Sequence, residues 1–291
     1  MHPIDHGFSL TGGFLRRRDL LALGMRDHAL RQHVRSGDLI RIRHGWYAPG
    51  AADHEAAARA AVRVGGRLTG FSALRTYGVW TPDLPTLEVA VPRNAKALRD
   101  PGRMRVRLAG SPREGATRIH WVAGPVQVDR SVWRVRPIEA LATCFRTGER
   151  EHAVIVADSC VHLALLARSD VNALTPALPA ERRSWVSLVD GRAESGGETA
   201  VRLRLAEAGI RFLPQPAVPG VGHLDGQIGR RTYVEVDGFE SHGTKEGFEE
   251  DRRRDLVSRV WNHQVVRITS KQVFADWTYC LEAIRAALAT D

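Results

Sequence analysis

The chain has 291 residues, with 42 Lys+Arg against 33 Asp+Glu, three Cys and 43% hydrophobic residues. That length is enough for two or three domains, and the ordinary apolar fraction excludes wholesale disorder. No apolar run reaches the ~18 residues of a membrane span, since the best candidate, His152 to Ala167, is cut by Asp158 and His162. The first residues place acid ahead of their arginines, the reverse of a secretion signal. Cys144, Cys160 and Cys280 are odd in number and far apart, so they build neither a disulfide scaffold nor a CxxC zinc site. The expectation is a soluble cytoplasmic protein of a reducing compartment, with no membrane partner.

The formal net charge of +9 points to a polyanionic partner, most simply nucleic acid. Only Lys96, Lys245 and Lys271 are lysines, so the positive charge is almost entirely arginine. With abundant Ala and Gly, this also fits genome base composition. The distribution says more: residues 1–50 carry 8 basic and 4 acidic groups, residues 51–190 carry 20 and 14, and residues 191–291 carry 14 and 15. A basic front is joined to a neutral rear.

In chain order, Arg16–Leu23 reads as a short helix ended by Gly24. Asp27 is a candidate cap for a helix over His28–Ser36, with Leu30 and Val34 on one face and Gly37 as the stop. Leu39–Arg43 then alternates partly, and His44-Gly45 turns into Trp46-Tyr47. Helix, glycine turn, helix and two-stranded wing is the layout of a winged helix-turn-helix, whose second helix enters the major groove. Here that helix carries His28, Arg31, Gln32 and Arg35, and the wing carries Arg41 and Arg43. Arg and Gln suit base edges, and Arg suits phosphate. The alternative is a small helical domain with solvated arginines on its outer face.

Residues 51–170 read as an α+β block. Helices are expected over Ala51–Gly65 and Thr69–Tyr77, strands over Leu87–Val91, Met104–Leu108 and Ile119–Val122, and helices over Ile138–Thr147 and His152–Ala167. His120, His152 and His162 lack metal or nucleophile spacing and read as surface or core histidines. Proline-rich Asn172–Arg183 marks a linker within residues 171–189.

In the last third, Ser195-Gly-Gly-Glu198 satisfies the capping box and opens a helix through Ala208. Strands are expected over Arg211–Leu213, His223–Ile228, Thr232–Val236 and Gln264–Thr269. A polar helix, Glu246–Trp261, capped by Thr244, lies between the last two. Thr269-x-x-Gln272 is a second capping box, for one terminal helix with Val273, Trp277, Leu281, Ile284 and Leu288 on one face.

Glu235 and Asp237 share one face of their strand while Val234 and Val236 point the other way. The hairpin register decides whether Asp225 joins them. A two-residue loop at Gly229-Arg230 sets Asp225 opposite Val234, on the wrong face. A three-residue loop, Gly229 to Arg231, pairs Ile228 with Thr232 and sets Asp225 opposite Glu235, about 4.5–5.5 Å apart at Cβ. The odd loop is expected. Gathered carboxylates repel, so at least one pKa rises unless a cation intervenes. Hard oxygen ligands suit Mg²⁺ (or Mn²⁺), which completes its shell with water and substrate phosphate. Such a site can polarise a phosphodiester, activate water and stabilise the leaving oxygen.

The run HLDGQIG-RRT-YVEVDGFESH, with Thr244, Phe248, DRRRD at 251–255 and VVRIT, resembles the PD-(D/E)XK nuclease superfamily, in the branch akin to very-short-patch-repair endonucleases. The likeness covers about residues 190–280. It implies Asp225 and Glu235 as the motif acids and Glu198 as the acid of the first helix. Asp237 stands where the superfamily usually has Lys, which leaves the lysine's role unassigned: His242, five residues on, is a candidate acid/base or phosphate binder, and Lys245 or Arg252 of the next helix a candidate for the missing cation. The stretches FLRRRDLLALGM, RIRHGWYAPG and RLTGFSALRTYGVW resemble the winged-helix antitoxins of abortive-infection (type IV) toxin–antitoxin systems, over roughly residues 10–165. That likeness implies DNA binding and autoregulation.

The reading is a multidomain α+β protein: a winged helix-turn-helix (1–50), an α+β middle domain (51–170), a linker region (171–189), and an α/β restriction-endonuclease-like domain (190–291). The function expected is metal-dependent DNA endonuclease, with Glu198, Asp225, Glu235 and Asp237 as metal ligands and His242 and Lys245 as catalytic aids. Duplex DNA is the expected partner. A homodimer and a partner from a defence or toxin–antitoxin system stay open. The rival is a DNA-binding regulator whose nuclease fold is inactive, and a weaker third reading is an RNA-processing enzyme.

Overall fold

A computed structural model describes residues 3–50, 56–111, 115–123, 131–237 and 262–291. The expected helix Glu246–Trp261, its Thr244 cap, Phe248 and the run 251–255 with Arg252 lie outside these residues, as do His242 and Lys245. Secondary structure is mixed, in several small sheets. Compactness divides the chain into two units, residues 1–78 with 83–144 and residues 79–82 with 145–291.

The first unit opens with α1 (Pro3–Leu10), β1 (Leu15–Arg16), α2 (Arg17–Ala22) and α3 (Asp27–Ser36), followed by β2 (Leu39–Arg43) and β3 (Trp46–Pro49). The strands form a sheet in the order β1-β3-β2. Phe8, Leu15, Leu20, Met25, Leu30, Leu39 and Tyr47 make its core. The glycine punctuation holds: Gly24, Gly37 and Gly45 all take left-handed φ, which ends α2, ends α3 and turns the wing. Asp27 departs from expectation. It is the first residue of α3, not its cap, and its Oδ1 accepts from Arg17 Nε at 2.9 Å.

The remainder of this unit comprises α4 (Ala56–Val64), β4 (Arg67–Leu68), α5 (Gly70–Arg75), β5 (Leu87–Pro92), β6 (Thr117–Val122) and most of α6 (Pro137–Thr147). β4 pairs antiparallel and β6 parallel with β5. Buried Glu88 holds α5 in place by accepting from Phe71 N at 2.7 Å, and His120 lies 3.3 Å from its other oxygen. The expected strand Met104–Leu108 is instead a series of turns with a single bridge, Arg99 to Arg107. Buried Asp100 organises it by accepting from Gly102 N and Arg103 N.

The second unit contains α7 (Arg150–His162), α8 (Arg168–Ala173), 3-10 turns at Thr175–Ala177 and Ala180–Leu188, and α9 (Gly196–Glu207). Short strands β7 (Leu213–Pro214), β8 (Ala217–Val218), β9 (Gly222–His223) and β10 (Gly226–Gln227) precede the long β11 (Thr232–Asp237) and β12 (Gln264–Thr269). Two helices, α10 (Ser270–Ala275) and α11 (Trp277–Leu288), close the chain. The principal sheet runs β12-β11-β10-β7, with β11 and β12 parallel and the other pairs antiparallel. Its core face carries Val234, Val236 and Ile268 against Ala200, Val201 and Leu205 of α9 and Val273, Cys280 and Ile284 of the final helices.

Three expectations are corrected here. The expected linker, Asn172–Arg183, is packed structure: Val171 and Leu178 are buried, and Arg182 donates to the carbonyls of Phe145 and Gly148. Its prolines start 3-10 turns rather than loosen the chain. The expected strand His223–Ile228 is split into β9 and β10, because residues 217–223 fold back as a separate β8–β9 hairpin. The terminal helix is broken at Asp276, whose Oδ1 accepts from Tyr279 N and starts α11 afresh. The Thr269–Gln272 capping box is present in full.

Asp158 ties α7 to the segment before α9. It is 1% exposed and accepts from Asp190 N, Gly191 N, Thr199 Oγ1 and Arg202 Nη2 at 2.7–3.2 Å. Asp158→Ala would leave the largely covered Arg202 without its counter-charge. It is expected to lower unfolding free energy by about 3–5 kcal/mol in a urea titration. An unchanged midpoint would show that the hub is dispensable.

Candidate functional site

Two regions gather the residues singled out in the sequence, one in each unit. In the C-terminal unit the hairpin has the three-residue loop: Gly226 pairs with Val234 and Gln227 with Tyr233, and Ile228 N donates to Thr232 O at 2.9 Å. Continuing that register sets Asp225 opposite Glu235. The face of β11 opposite the core carries Tyr233, packed on Val218, Val221 and Leu224 of the β8–β9 region, and then Glu235 and Asp237.

Glu198 reaches the site from the first turn of α9. Ser195 caps the helix by accepting from Glu198 N at 3.2 Å. The capping box is only half formed, because the Glu198 carboxylate does not return to the cap residue. Its Oε2 accepts instead from Glu194 N at 3.0 Å and from Gln215 Nε2 at 3.1 Å. The approach of α9 to β11 needs glycine. A Cβ on Gly197 would lie 2.7 Å from Ser270 Oγ and 2.8 Å from Val236 Cγ1, and one on Gly196 would enter the Trp80 ring. The pair Gly196-Gly197 therefore sets how near Glu198 comes to the sheet.

Asp225 is fixed by its backbone neighbours: its Oδ2 accepts from Val236 N at 2.7 Å and its carbonyl from Gln215 N at 3.0 Å. Burial pushes its carboxyl up to about 7. The Glu198 charge adds to the rise, as do Glu235 and Glu194 to a smaller degree, against the opposing Val236 N–H. Glu198, 5% exposed, is likewise raised, mainly by burial, although three hydrogen bonds favour its charged form. The hydrogen bonds that hold these carboxylates to Glu194 N, Gln215 and Val236 N fall on Glu198 Oε2 and Asp225 Oδ2. Each carboxylate is thus held by one oxygen and presents the other.

Glu235 has a different partner. Arg267 stands directly beside it on β12, and Arg267 Nε donates to Glu235 Oε2 at 2.8 Å. Asp237 lies at the end of β11 beside Thr269. The structure therefore brings Glu198 and Asp225 together, sets Glu235 alongside in an ion pair, and leaves Asp237 at the strand's edge. Among the described residues, no group of three or more His, Cys, Asp or Glu side chains is placed to hold a metal ion. The expected ligands Glu198, Asp225, Glu235 and Asp237 are thus not drawn into one four-carboxylate group.

Sequence reasoning missed three participants. Gln215 holds Glu198 from a left-handed backbone conformation (φ 51°), uncommon for a residue with a side chain. Glu194 contributes its N–H and its charge. Arg267 meets Glu235 only through a parallel pairing that no local pattern reveals. An uncompensated acid on β11 was the one signal pointing towards it.

In the N-terminal unit, His28, Arg31, Gln32 and Arg35 are all exposed on α3, opposite buried Leu30. Arg41 is exposed on the wing and bonds His44 Nδ1 at 2.6 Å. Arg31, Arg35 and Arg41 line a concavity of about 350 Å³ between α3 and β2, floored by Leu30, Val34 and Tyr47. Among the described residues none of the three is paired with a carboxylate. Arg43 departs from the expected wing surface: it is half-buried against Gly65, and burial and the Arg99 charge hold its guanidinium below the usual arginine range.

Residues 5–50 match the family described as a transcriptional regulator, AbiEi antitoxin. No curated protein matches the chain. Among solved structures, the catalytic domain of the homing endonuclease I-Bth0305I is similar to part of it. That match has 19% identity and a TM-score of 0.29, and covers 32% of this chain and 94% of that one. Among the described residues no helix is long and apolar enough to cross a membrane.

Asp225→Asn keeps an acceptor for Val236 N and removes a charge that Glu198 and Glu235 oppose. In metal-free buffer at pH 8 it is expected to stabilise the protein, on the order of 1–3 kcal/mol. Thermal unfolding checks the sign, and a melting temperature below the wild type's would show that the carboxylates do not repel.

Proposed function

We propose that this protein is a metal-dependent DNA endonuclease, in which a winged helix-turn-helix over residues 3–50 docks on duplex DNA and a PD-(D/E)XK-like site in the C-terminal unit hydrolyses phosphodiesters. The observation that carries the reading is Asp225: a partly buried carboxylate, pinned by a backbone N–H, that burial pushes up to about 7, with the charge of Glu198 adding to the rise. A fold gains nothing from fixing like charges together in a low-dielectric site unless a cation or proton answers them.

The donor set fits Mg²⁺ or Mn²⁺. These ions need only one or two carboxylates, with water and substrate phosphate completing the shell, so a full protein cage is not required. Glu198 and Asp225, each with one oxygen anchored and one open, are the residues that would hold the ion. Glu235 and Asp237 border it and would act through water. When bound, the ion supplies polarisation of the phosphodiester, activation of water and stabilisation of the leaving oxygen. Ser195, Gln215 and the Glu194 N–H orient Glu198, and Val236 N–H orients Asp225. Arg267 places positive charge beside Glu235, the task that the superfamily's strand lysine would otherwise perform.

On the DNA-binding side, Arg31, Arg35 and Arg41 around a concave face, with no paired carboxylate among the described residues, suit phosphate and base edges, with Gln32 as a further base reader. The AbiEi match over residues 5–50 supports this docking role. A second reading, a regulator whose nuclease fold is catalytically silent, is favoured by one observation, the Glu235–Arg267 ion pair. There the carboxylates would serve only the fold.

The purified chain is expected to cut supercoiled plasmid with Mg²⁺ and not with EDTA. Asp225→Ala should slow cutting about a hundredfold or more, the scale on which an electrostatic group at a reacting centre acts. Equal cutting by that variant would defeat the nuclease reading. Duplex binding with neither cutting nor metal uptake by calorimetry would establish the silent regulator. Independently, Arg31→Ala and Arg35→Ala are each expected to weaken duplex binding or lower its salt slope by about 1 in a fluorescence titration. Unchanged affinity and slope would remove α3 from the interface.

A further inference from the structure

A second group of arginines in the N-terminal unit is not used by either role above. Arg16, Arg43 and Arg67 line one cavity of about 380 Å³, together with Trp46 and the backbone of Gly65 and Gly66. That volume lies in the range of small-ligand sites. Among the described residues none of the three guanidinium groups is paired with a carboxylate. Arg67 Nε is buried without a hydrogen-bond partner, which is costly unless a ligand supplies one.

The cavity is built rather than incidental. Gly65, at φ 114°, leaves room for the Arg43 guanidinium that any side chain would fill, and Gly66 packs its backbone against Ala90 O. Arg16 is steadied over the Trp46 ring, 4.9 Å from its centroid. Burial holds Arg43 and Arg67 below the usual arginine range. Arg99 adds its repulsion to Arg43, and Arg16 adds its own to Arg67. Like charges are therefore gathered and partly desolvated, with no carboxylate paired to them among the described residues. Arginine forks of this kind recognise phosphate by paired N–H donors.

We propose that the cavity lined by Arg16, Arg43 and Arg67 is an anion site that takes a phosphate group. The phosphate comes either from a nucleic-acid backbone or from a free phosphate compound. Because the cavity lies wholly in the N-terminal unit, the proposal stands or falls apart from the carboxylate site.

The test uses the full chain, with inorganic phosphate, pyrophosphate and a mixed-sequence DNA duplex as probes. Calorimetry and thermal melting are run on the wild type, Arg67→Met, Arg43→Gln and, as an outside control, Arg285→Ala, an exposed residue of α11. Phosphate or pyrophosphate is expected to bind the wild type and raise its melting temperature. Affinity should fall about tenfold or more in Arg67→Met and Arg43→Gln, the effect of losing a hydrogen bond to a charged group, and hold in Arg285→Ala. Without added anion, Arg67→Met should melt at or above the wild type, because a repulsive charge is gone. If duplex affinity falls with it, the phosphate belongs to nucleic acid; if only the free anions are lost, the ligand is a small phosphate compound. The proposal is overturned if both variants respond to phosphate as the wild type does. It is equally overturned if the wild type ignores both anions while neither variant changes duplex binding. Should Arg67→Met melt well below the wild type, Arg43→Gln decides between these outcomes alone.

Discussion

The C-terminal unit is organised around carboxylates that oppose one another. Asp225 and Glu198 come from different elements, yet each is locked by hydrogen bonds that leave it no retreat into solvent. The approach depends on two glycines at the start of α9, a serine cap, and a glutamine in left-handed backbone. A carboxylate would ordinarily escape burial by rotating outward, at little cost to the fold. Here the backbone N–H of Val236 and the side chain of Gln215 prevent it. The strain and the repulsion are local, while the stabilisation that offsets them is spread over the apolar face behind β11, where Val234, Val236 and Ile268 meet α9 and α11.

Much of this arrangement was legible in the sequence because it follows from parity. Alternation along Thr232–Asp237 fixes which residues share a face, and one more or one fewer residue in the Gly229–Arg231 loop decides whether Asp225 joins Glu235. Helix ends were legible for a similar reason. Gly24, Gly37 and Gly209 occupy left-handed φ, and Thr269 and Ser195 offer the oxygen their helices need. Asp276 was misread as a passenger within a helix, although the same short polar side chain is well suited to starting one.

What stayed hidden depends on contacts distant in sequence. Arg267 meets Glu235 through a parallel pairing separated by 32 positions. Arg43 is drawn from the wing surface because Gly65, in another element, leaves space for it. The 172–183 segment looks like a linker by its prolines and polar residues. Its Leu178 is nonetheless buried, and Arg182 satisfies two carbonyls that end a neighbouring helix. Composition measures how often a chain turns, not whether the turns are packed. The Glu198 capping box shows the same limit: the motif predicts a reciprocal bond, but a buried carboxylate with better partners abandons it.

The arginine excess becomes informative only when sorted by partner. In the C-terminal unit Arg150, Arg192, Arg202, Arg204 and Arg267 each face a carboxylate, so their charge is spent within the fold. In the N-terminal unit, Arg31, Arg35 and Arg41 on one face and Arg16, Arg43 and Arg67 in one cavity have no such partner among the described residues. A base-composition bias scatters arginine without regard to acids, and folding then pairs those it can. Arginines left together without acids, against partly apolar walls, raise the free energy of the folded chain by mutual repulsion. Their retention makes physical sense when an external anion completes the site. Among the described residues, the N-terminal unit holds arginines in two places without a paired carboxylate, whereas the C-terminal unit sets Asp225 near Glu198 without a paired cation.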